Sequence, residues 1–234
     1  MRTPQNTKIY ARDGLAIVAL VWVLMSVFGA LPFVISGEIP SFVDAFFETV
    51  SGFTTTGSTI LTDVEALSHG TLFWRSFSHW IGGMGVLVFA MAVLPMTDGR
   101  AMHLMRAEVP GPTCGKISSK LSDSAKILYA IYLVMTVIET ILLCAGGMPL
   151  FDALIHAFGT AGTGGFSNKA LSVGAYNSPY FEIVIGVFML LFGVSFNLYY
   201  LLLLKKWRAV LDSNELKCYF GIWLAAFIII AVNI

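Results

Sequence analysis

Apolar residues gather along this chain into long, nearly unbroken runs. Four runs reach the roughly 20 residues that a helix needs to cross the hydrocarbon core of a bilayer: 14–35, 72–95, 127–145 and 181–204. A fifth begins near Tyr219 with "GIWLAAFIIIAV" and is still apolar at Ile234. Two shorter apolar stretches, "SFVDAFFETVSGF" (41–53) and "LFDALIHAFGTAG" (150–162), lie between spans. Each is too short to cross and has the length of a re-entrant half-helix; an amphipathic helix on the outer surface is the alternative. Ser41 followed by Asp44 resembles a capping box, and Asp44 and Asp152 suit helix N-termini electrostatically.

Polar, irregular stretches follow both short helices. In "SGFTTTGST" (51–59), three threonines stand between Gly52 and Gly57. β-Branched threonine and flexible glycine both lower helix propensity. Irregular backbone at membrane depth persists only when buried in protein or lining a watery cavity.

Composition supports the membrane reading. Charged residues make up 12% of the chain and hydrophobic residues 57%, against about 25% charged in soluble domains. Mean hydropathy is +0.80. With the N-terminus in the cytoplasm, twelve of the fourteen basic residues fall inside, leaving only Arg75 and Lys169 at the outer side. No cleavable signal peptide is evident in "MRTPQNTKIYARDG". A formal net charge of zero suggests no nucleic-acid partner. Cys114, Cys144 and Cys218 form no CxxC pair and read as reduced bystanders.

The two short helices are related. An offset of 108 residues carries Asp44-Ala45 onto Asp152-Ala153, Thr55 onto Thr163 and Gly57 onto Gly165. The expected fold is therefore an all-α integral membrane protein of tandem helix–re-entrant pore helix–filter loop–helix repeats, potassium-channel-like. Residues 1–110 form the first repeat, 111–212 the second, and 213–234 the opening helix of a third. An even number of crossings separates the copies, so they are parallel repeats about an axis along the membrane normal. Extended Thr/Gly loops around one axis can aim carbonyl oxygens at it and replace the water around a monovalent cation. The C-terminal ends of the half-helices carry partial negative charge that favours a cation there.

The segments "FFETVSGFTTTGSTIL", "FWRSFSHWIGGMGVLVFAMAVLP" and "HAFGTAGTGGFSN" resemble the pore-forming, TrkH-like subunit of potassium uptake systems in the Trk/Ktr/HKT superfamily. The resemblance covers almost the whole chain. It implies four repeats around one ion pathway, each giving a filter loop with a key glycine, here Gly57 and Gly165. It makes the carbonyls of Thr55, Thr56, Thr163 and Gly164 the expected ligands of potassium, which is substrate, with no organic cofactor. Glycine rather than serine at the first filter position implies potassium preference over sodium. Thr54, Ser58, Gly162, Phe166, Arg75, Gly82, Gly83 and Gly85 would support the filter. The implied setting is the bacterial plasma (inner) membrane. Implied partners are a second copy in a homodimer with further pore repeats, a cytosolic nucleotide-binding regulatory subunit of the TrkA/KtrA kind, and membrane lipids.

The chain departs from the family's pattern. It holds two filter repeats and the start of a third; the third repeat's gating loop, the last repeat with its basic gating residue, and the two extra leading helices of many relatives are missing. It reads as an N-terminal portion of such a subunit or a truncated gene product. The alternative function is a non-conducting fragment that associates with full-length subunits. A membrane enzyme finds no support in HExxH, GxSxG or paired carboxylates.

Other polar residues keep two readings. Glu139, within a span, either attracts cations or is protonated or hydrogen-bonded between helices; Asn197 either faces the cavity below the filter or bonds a neighbouring helix. Gly82, Gly83 and Gly85 suit close packing on the half-helix. Arg75 either anchors at the interface or ties the filter's outer loop to its helix. Glu38, Asp63 and Glu65 either concentrate cations or belong to a solvated loop. His69, His79, His103 and His156 lack metal-ligand spacing. The basic linker 97–126 contacts either a regulatory partner or anionic lipid.

Overall fold

A computed structural model describes residues 11–85 and 121–233, with side chains from 16 and 126 onward in the two segments. All regular elements among the described residues are helical. Sequence expectations on Arg2, Lys8, Arg12, Arg100, Arg106, Lys116, Lys120, Cys114, His103 and most of the 97–126 linker lie outside the described side chains, as does the end of the second span beyond Gly85.

The first unit comprises α1 (Ala11–Ser36), α2 (Phe42–Phe53) and α3 (His69–Met84). The second comprises α4 (Leu121–Ala145), α5 (Leu150–Ala161) and α6 (Pro179–Phe192). A short α7 (Phe196–Leu203), α8 (Trp207–Leu211) and the long α9 (Asn214–Asn233) follow. α1, α4 and α9 are long and apolar enough to cross a membrane, and α6 with α7 forms a fourth, bent candidate. The chain is a membrane protein of packed helices.

α1 stops where Gly37 adopts φ 75° and its N–H bonds the Val34 carbonyl at 3.1 Å, a turn that favours glycine. The chain turns at once into α2, where the Ser41 hydroxyl accepts the Asp44 N–H at 3.4 Å. α2 and α5 each have 12 residues, about 18 Å at 1.5 Å per residue, well short of a bilayer core. The offset that relates the two loops in sequence also carries Phe42–Phe53 onto Leu150–Ala161, residue for residue.

α2 packs between α1 and α3, and α5 between α4 and α6. α3 also packs on α5, making the seam between units. Trp80, Tyr132, Phe158, Phe188 and Phe192 form one aromatic core across α3, α4, α5 and α6. The Trp80 indole donates to Thr136 Oγ1 at 3.1 Å and the Tyr132 hydroxyl donates to the Trp80 carbonyl at 2.8 Å, so the buried polar tips are paired.

One expectation changes. The run 181–204, read as one straight span, is broken: α6 and α7 meet at 87° across Gly193, Val194 and Ser195. Apolarity continues through the break, so hydropathy does not register it. At the bend Tyr199 donates to the Leu191 carbonyl at 2.6 Å, which the Val194 N–H also reaches at 3.2 Å, and Tyr219 donates to the Leu190 carbonyl at 3.1 Å, supplementing the backbone pairing that a kink inside a membrane disturbs. α3 ends on Gly85 and α6 on Gly193, again one offset apart. α9 begins five residues before the expected Tyr219, at Asn214, and buries none of its side chains.

Candidate functional site: two apposed Thr/Gly loops

α2 and α5 each run into an irregular loop, and the two loops share one backbone course. Thr55 has φ 55° and Thr163 φ 57°; Gly57 has φ 76° and Gly165 φ 77°. After α2, the N–H groups of Thr54, Thr55 and Thr56 bond the carbonyls of Val50, Gly52 and Ser51; after α5, those of Gly162, Thr163 and Gly164 bond Phe158, Thr160 and Gly159. A left-handed β-branched residue is rare, yet threonine occupies that position in both loops.

These bonds use the loops' N–H groups and leave their carbonyls over. Among the described residues, no donor bonds the carbonyl oxygen of Thr55, Thr56, Thr163 or Gly164. Thr56 and Thr163 are exposed and Thr55 and Gly164 half-buried, so these carbonyls are open to water or to a cation. The loops touch: a Cβ on Gly57 would overlap the Gly164 carbonyl oxygen. Gly57 is thus confined by its left-handed φ and by the opposing backbone, whereas Gly165 has left-handed φ but nothing within 4 Å of a Cβ.

The remaining expected residues have these positions. Thr54 caps α2, its hydroxyl donating to Val50 at 2.7 Å and receiving the Thr56 hydroxyl at 2.8 Å. The Ser58 carbonyl accepts from Ser51 Oγ at 2.5 Å. Gly162 caps α5. Gly82 lies against the backbone of Phe53 at the end of α2, too close for a Cβ, and a Cβ on Gly83 would meet the Tyr132 hydroxyl first and then, tightly, the backbone of Ala161 and Gly162 at the end of α5. One glycine pair therefore brings α3 up to both half-helix ends. Gly85 terminates α3 with φ 76°.

Arg75 is buried, 3% exposed, and of its two readings the geometry is that of a tie. Its Nε donates to Glu48 at 2.6 Å, its Nη1 donates to the Ser167 carbonyl at 3.1 Å, and its guanidinium carbon lies 3.6 Å from the centroid of the buried Phe166 ring. One side chain of α3 therefore holds the first half-helix and the second loop together.

Glu48 is a member of the site that the sequence pattern does not mark. It is 1% exposed and, besides Arg75, accepts the Thr59 hydroxyl at 2.9 Å and the Ile60 N–H at 3.1 Å. The signal is in the sequence: an ionisable residue in an apolar segment calls for a partner, and Arg75 is one of the two basic residues that the expected orientation leaves outside. His156 was likewise dismissed on metal spacing. Its Nδ1–H donates to the Asp152 carbonyl at 2.8 Å, and in the neutral ring Nε2 accepts the Ser167 hydroxyl at 3.2 Å. Among the described residues no His/Cys/Asp/Glu group could hold a metal ion.

Outside the loops the two units are tied by charge. Glu65 accepts the Ala170 N–H and the Lys169 ammonium, each at 3.2 Å; these contacts hold its carboxyl below the ordinary value. Glu38 accepts the Ser68 N–H at 3.0 Å. Desolvation is the largest single influence and opposes, but the hydrogen bonds from Ser68 and Thr71 together keep its carboxyl low as well. Asp63 accepts the Glu65 N–H at 3.0 Å. All three acids have protein partners.

At the opposite ends of α3 and α6, a cavity of about 370 Å³ opens between the two helix breaks, lined by Gly82–Gly85, 192–197, Trp22, Leu128 and Glu215. Asn197 lies on its wall, and its Oδ1 has no partner among the described residues. Glu139 is fully buried on α4, facing Thr160 of α5.

The family model for TrkH, a cation transport protein, matches residues 1–227. The Trk system potassium uptake protein TrkH of Salmonella typhimurium is 39% identical over 233 residues, covering 96% of this chain and 47% of that protein. The Escherichia coli K12 protein TrkG, also a Trk system potassium uptake protein, is 36% identical over 97% of this chain and 47% of its own length. The crystal structure of the potassium transporter TrkH from Vibrio parahaemolyticus superposes with a TM-score of 0.68 at 34% identity, over 85% of this chain and 39% of that one. The chain spans less than half the length of these relatives.

Proposed function

Because the chain belongs to the TrkH family of cation transport proteins, we propose that it forms part of the membrane pore of a Trk-type potassium uptake system and supplies two of the filter loops. The observation that carries this reading is the pair of half-helices, each ending in a loop with the same left-handed positions and unengaged carbonyls. A potassium ion entering from outside exchanges hydration water for carbonyls of Thr55, Thr56, Thr163 and Gly164. Gly57 and Gly165 permit the backbone course, and the negative ends of the α2 and α5 dipoles favour the cation. No bond is made or broken, in keeping with a family of transporters rather than enzymes.

Two loops do not encircle an ion. The other two come from further repeats, on a continuation of the chain or on a second copy, and α9 offers its unburied apolar surface to them. The protein lies in the bacterial inner membrane with its N-terminus in the cytoplasm, paired as a homodimer on a cytosolic nucleotide-binding regulatory subunit. The positive-inside distribution of Lys and Arg supports that orientation.

Growth of a bacterium lacking its own potassium uptake systems tests the reading, with the full reading frame expressed at limiting potassium. Rescue that Gly57→Ser weakens, or whose ion preference it relaxes toward sodium, is the expected result. Absence of rescue despite confirmed membrane expression would leave the non-conducting reading in its place.

A further inference from the structure

The seam between the loops holds one buried side chain that the pore reading leaves unused. His79 lies one turn beyond Arg75 on α3 and is fully buried. Its ring occupies the space that a Cβ would need at both Gly162 and Gly164, and its centroid is 4.7 Å from that of Phe166. Neither ring nitrogen has a hydrogen-bond partner among the described residues. Burying a polar ring without partners is unfavourable, so its fit against the loop is the contribution the contacts account for.

The glycines opposite the ring point the same way. Gly162 has φ −74° and ψ −7°, which any residue adopts, and Gly164 is not in the left-handed region either. Backbone conformation does not demand glycine at these two positions; the His79 ring does, joined at Gly164 by the Thr55 carbonyl. The first loop has no such notch, since Thr54 and Thr56 stand at the equivalent places. The contact is thus a specific fit between α3 of the first unit and the loop of the second.

Resting on the pore reading above, we propose that His79 is a positioning residue for ion selection: its ring, pressed on Gly162 and Gly164, sets where the Gly164 carbonyl stands in the ion path. Arg75 grips the same loop farther along, at Ser167, so α3 holds it at two points. Without the ring the loop relaxes toward α3, and the carbonyl loses the placement that separates potassium from the smaller sodium ion.

The test uses the full-length transporter in uptake-deficient cells, reading rubidium uptake, its competition by sodium, and the amount and melting of the protein in the membrane. His79→Ala is expected to lower the potassium-over-sodium preference roughly tenfold while the protein still accumulates, and His79→Gln, which keeps a long flat side chain, to retain it. Gly162→Ala alone is expected to impair uptake, and the double variant His79→Ala with Gly162→Ala to recover part of the loss, because the new methyl takes up space the ring vacates; that non-additivity is the mark of direct contact. An unchanged preference in an accumulating His79→Ala protein overturns the proposal. If His79→Ala does not accumulate, His79→Leu against His79→Gln decides, with altered preference in the first alone supporting the proposal and equal, unaltered preference in both overturning it. A wild-type protein that moves neither potassium nor rubidium overturns the pore reading and this inference with it.

Discussion

Glu48 and His156 hold the same position on the two half-helices, and each bonds the hydroxyl eleven residues downstream: Glu48 that of Thr59 at 2.9 Å, His156 that of Ser167 at 3.2 Å. A carboxylate and an imidazole share little chemistry, but both accept a hydrogen bond. The repeated element is the tie from the second turn of the short helix to the far end of its loop. The first unit adds Arg75, which extends the tie into the second loop.

That extension makes Glu48 and Arg75 energetically inseparable. Removing one partner of a buried pair typically costs about 3–5 kcal/mol because the other charge is left uncompensated, whereas replacing both costs far less. Melting of the purified protein in detergent is therefore expected to fall more for Glu48→Ala than for the double variant Glu48→Gln with Arg75→Gln. Single and double variants that melt with simply additive losses would show the pair to be uncoupled.

Arginine and lysine are not interchangeable here. Arg75→Lys keeps a charge beside Glu48 but has no second nitrogen for the Ser167 carbonyl and no planar face for Phe166. Rubidium uptake should drop in Arg75→Lys despite normal membrane levels. Wild-type uptake in that variant would mean that charge alone suffices.

Gly57 and Gly165 differ in their surroundings, and alanine substitution should separate them. At Gly165 the methyl meets open space, leaving only the left-handed φ, a penalty of about 1–2 kcal/mol. At Gly57 the same penalty is joined by overlap with the Gly164 carbonyl. Gly57→Ala is expected to abolish rubidium uptake where Gly165→Ala reduces it. Equal effects would contradict the apposition of the loops.

The outer tie through Glu65 predicts a pH dependence of definite sign. Its carboxyl is held below the ordinary value of 4.5 by the Ala170 N–H first and then by Lys169. A group lowered in the folded state stabilises above its unfolded value and ceases to do so as pH falls through the folded one. The melting difference between wild type and Glu65→Gln should be present at neutral pH and disappear on acidification below 4.5. Because the group is exposed, the difference is small and shrinks with added salt.

Much of the architecture was legible because membrane physics leaves few choices. Run length separates α1, α4 and α9 from the half-helices α2 and α5, and backbone satisfaction in lipid requires them to be helices. The offset from Asp44 to Asp152 aligned the two loops, and left-handed φ values fall at the aligned threonines and glycines. The 87° break at Gly193 was not legible, since the stretch is apolar throughout and the tyrosines that supplement its pairing, Tyr199 and Tyr219, lie farther along the chain.

By itself, then, the sequence determined the helical class, the long apolar helices α1, α4 and α9, the short helices α2 and α5 and the position of two Thr/Gly loops, all of which follow from local apolarity, chain length and residue propensity. Tertiary structure alone decided which side chains hold those loops. Glu48 meets Arg75 across 27 residues and Arg75 meets Ser167 across 92, and the notch in Gly162 and Gly164 has meaning only beside His79. Such contacts depend on how α3 lies between two half-helices, and no periodicity along one chain records the distance between residues that only packing brings together.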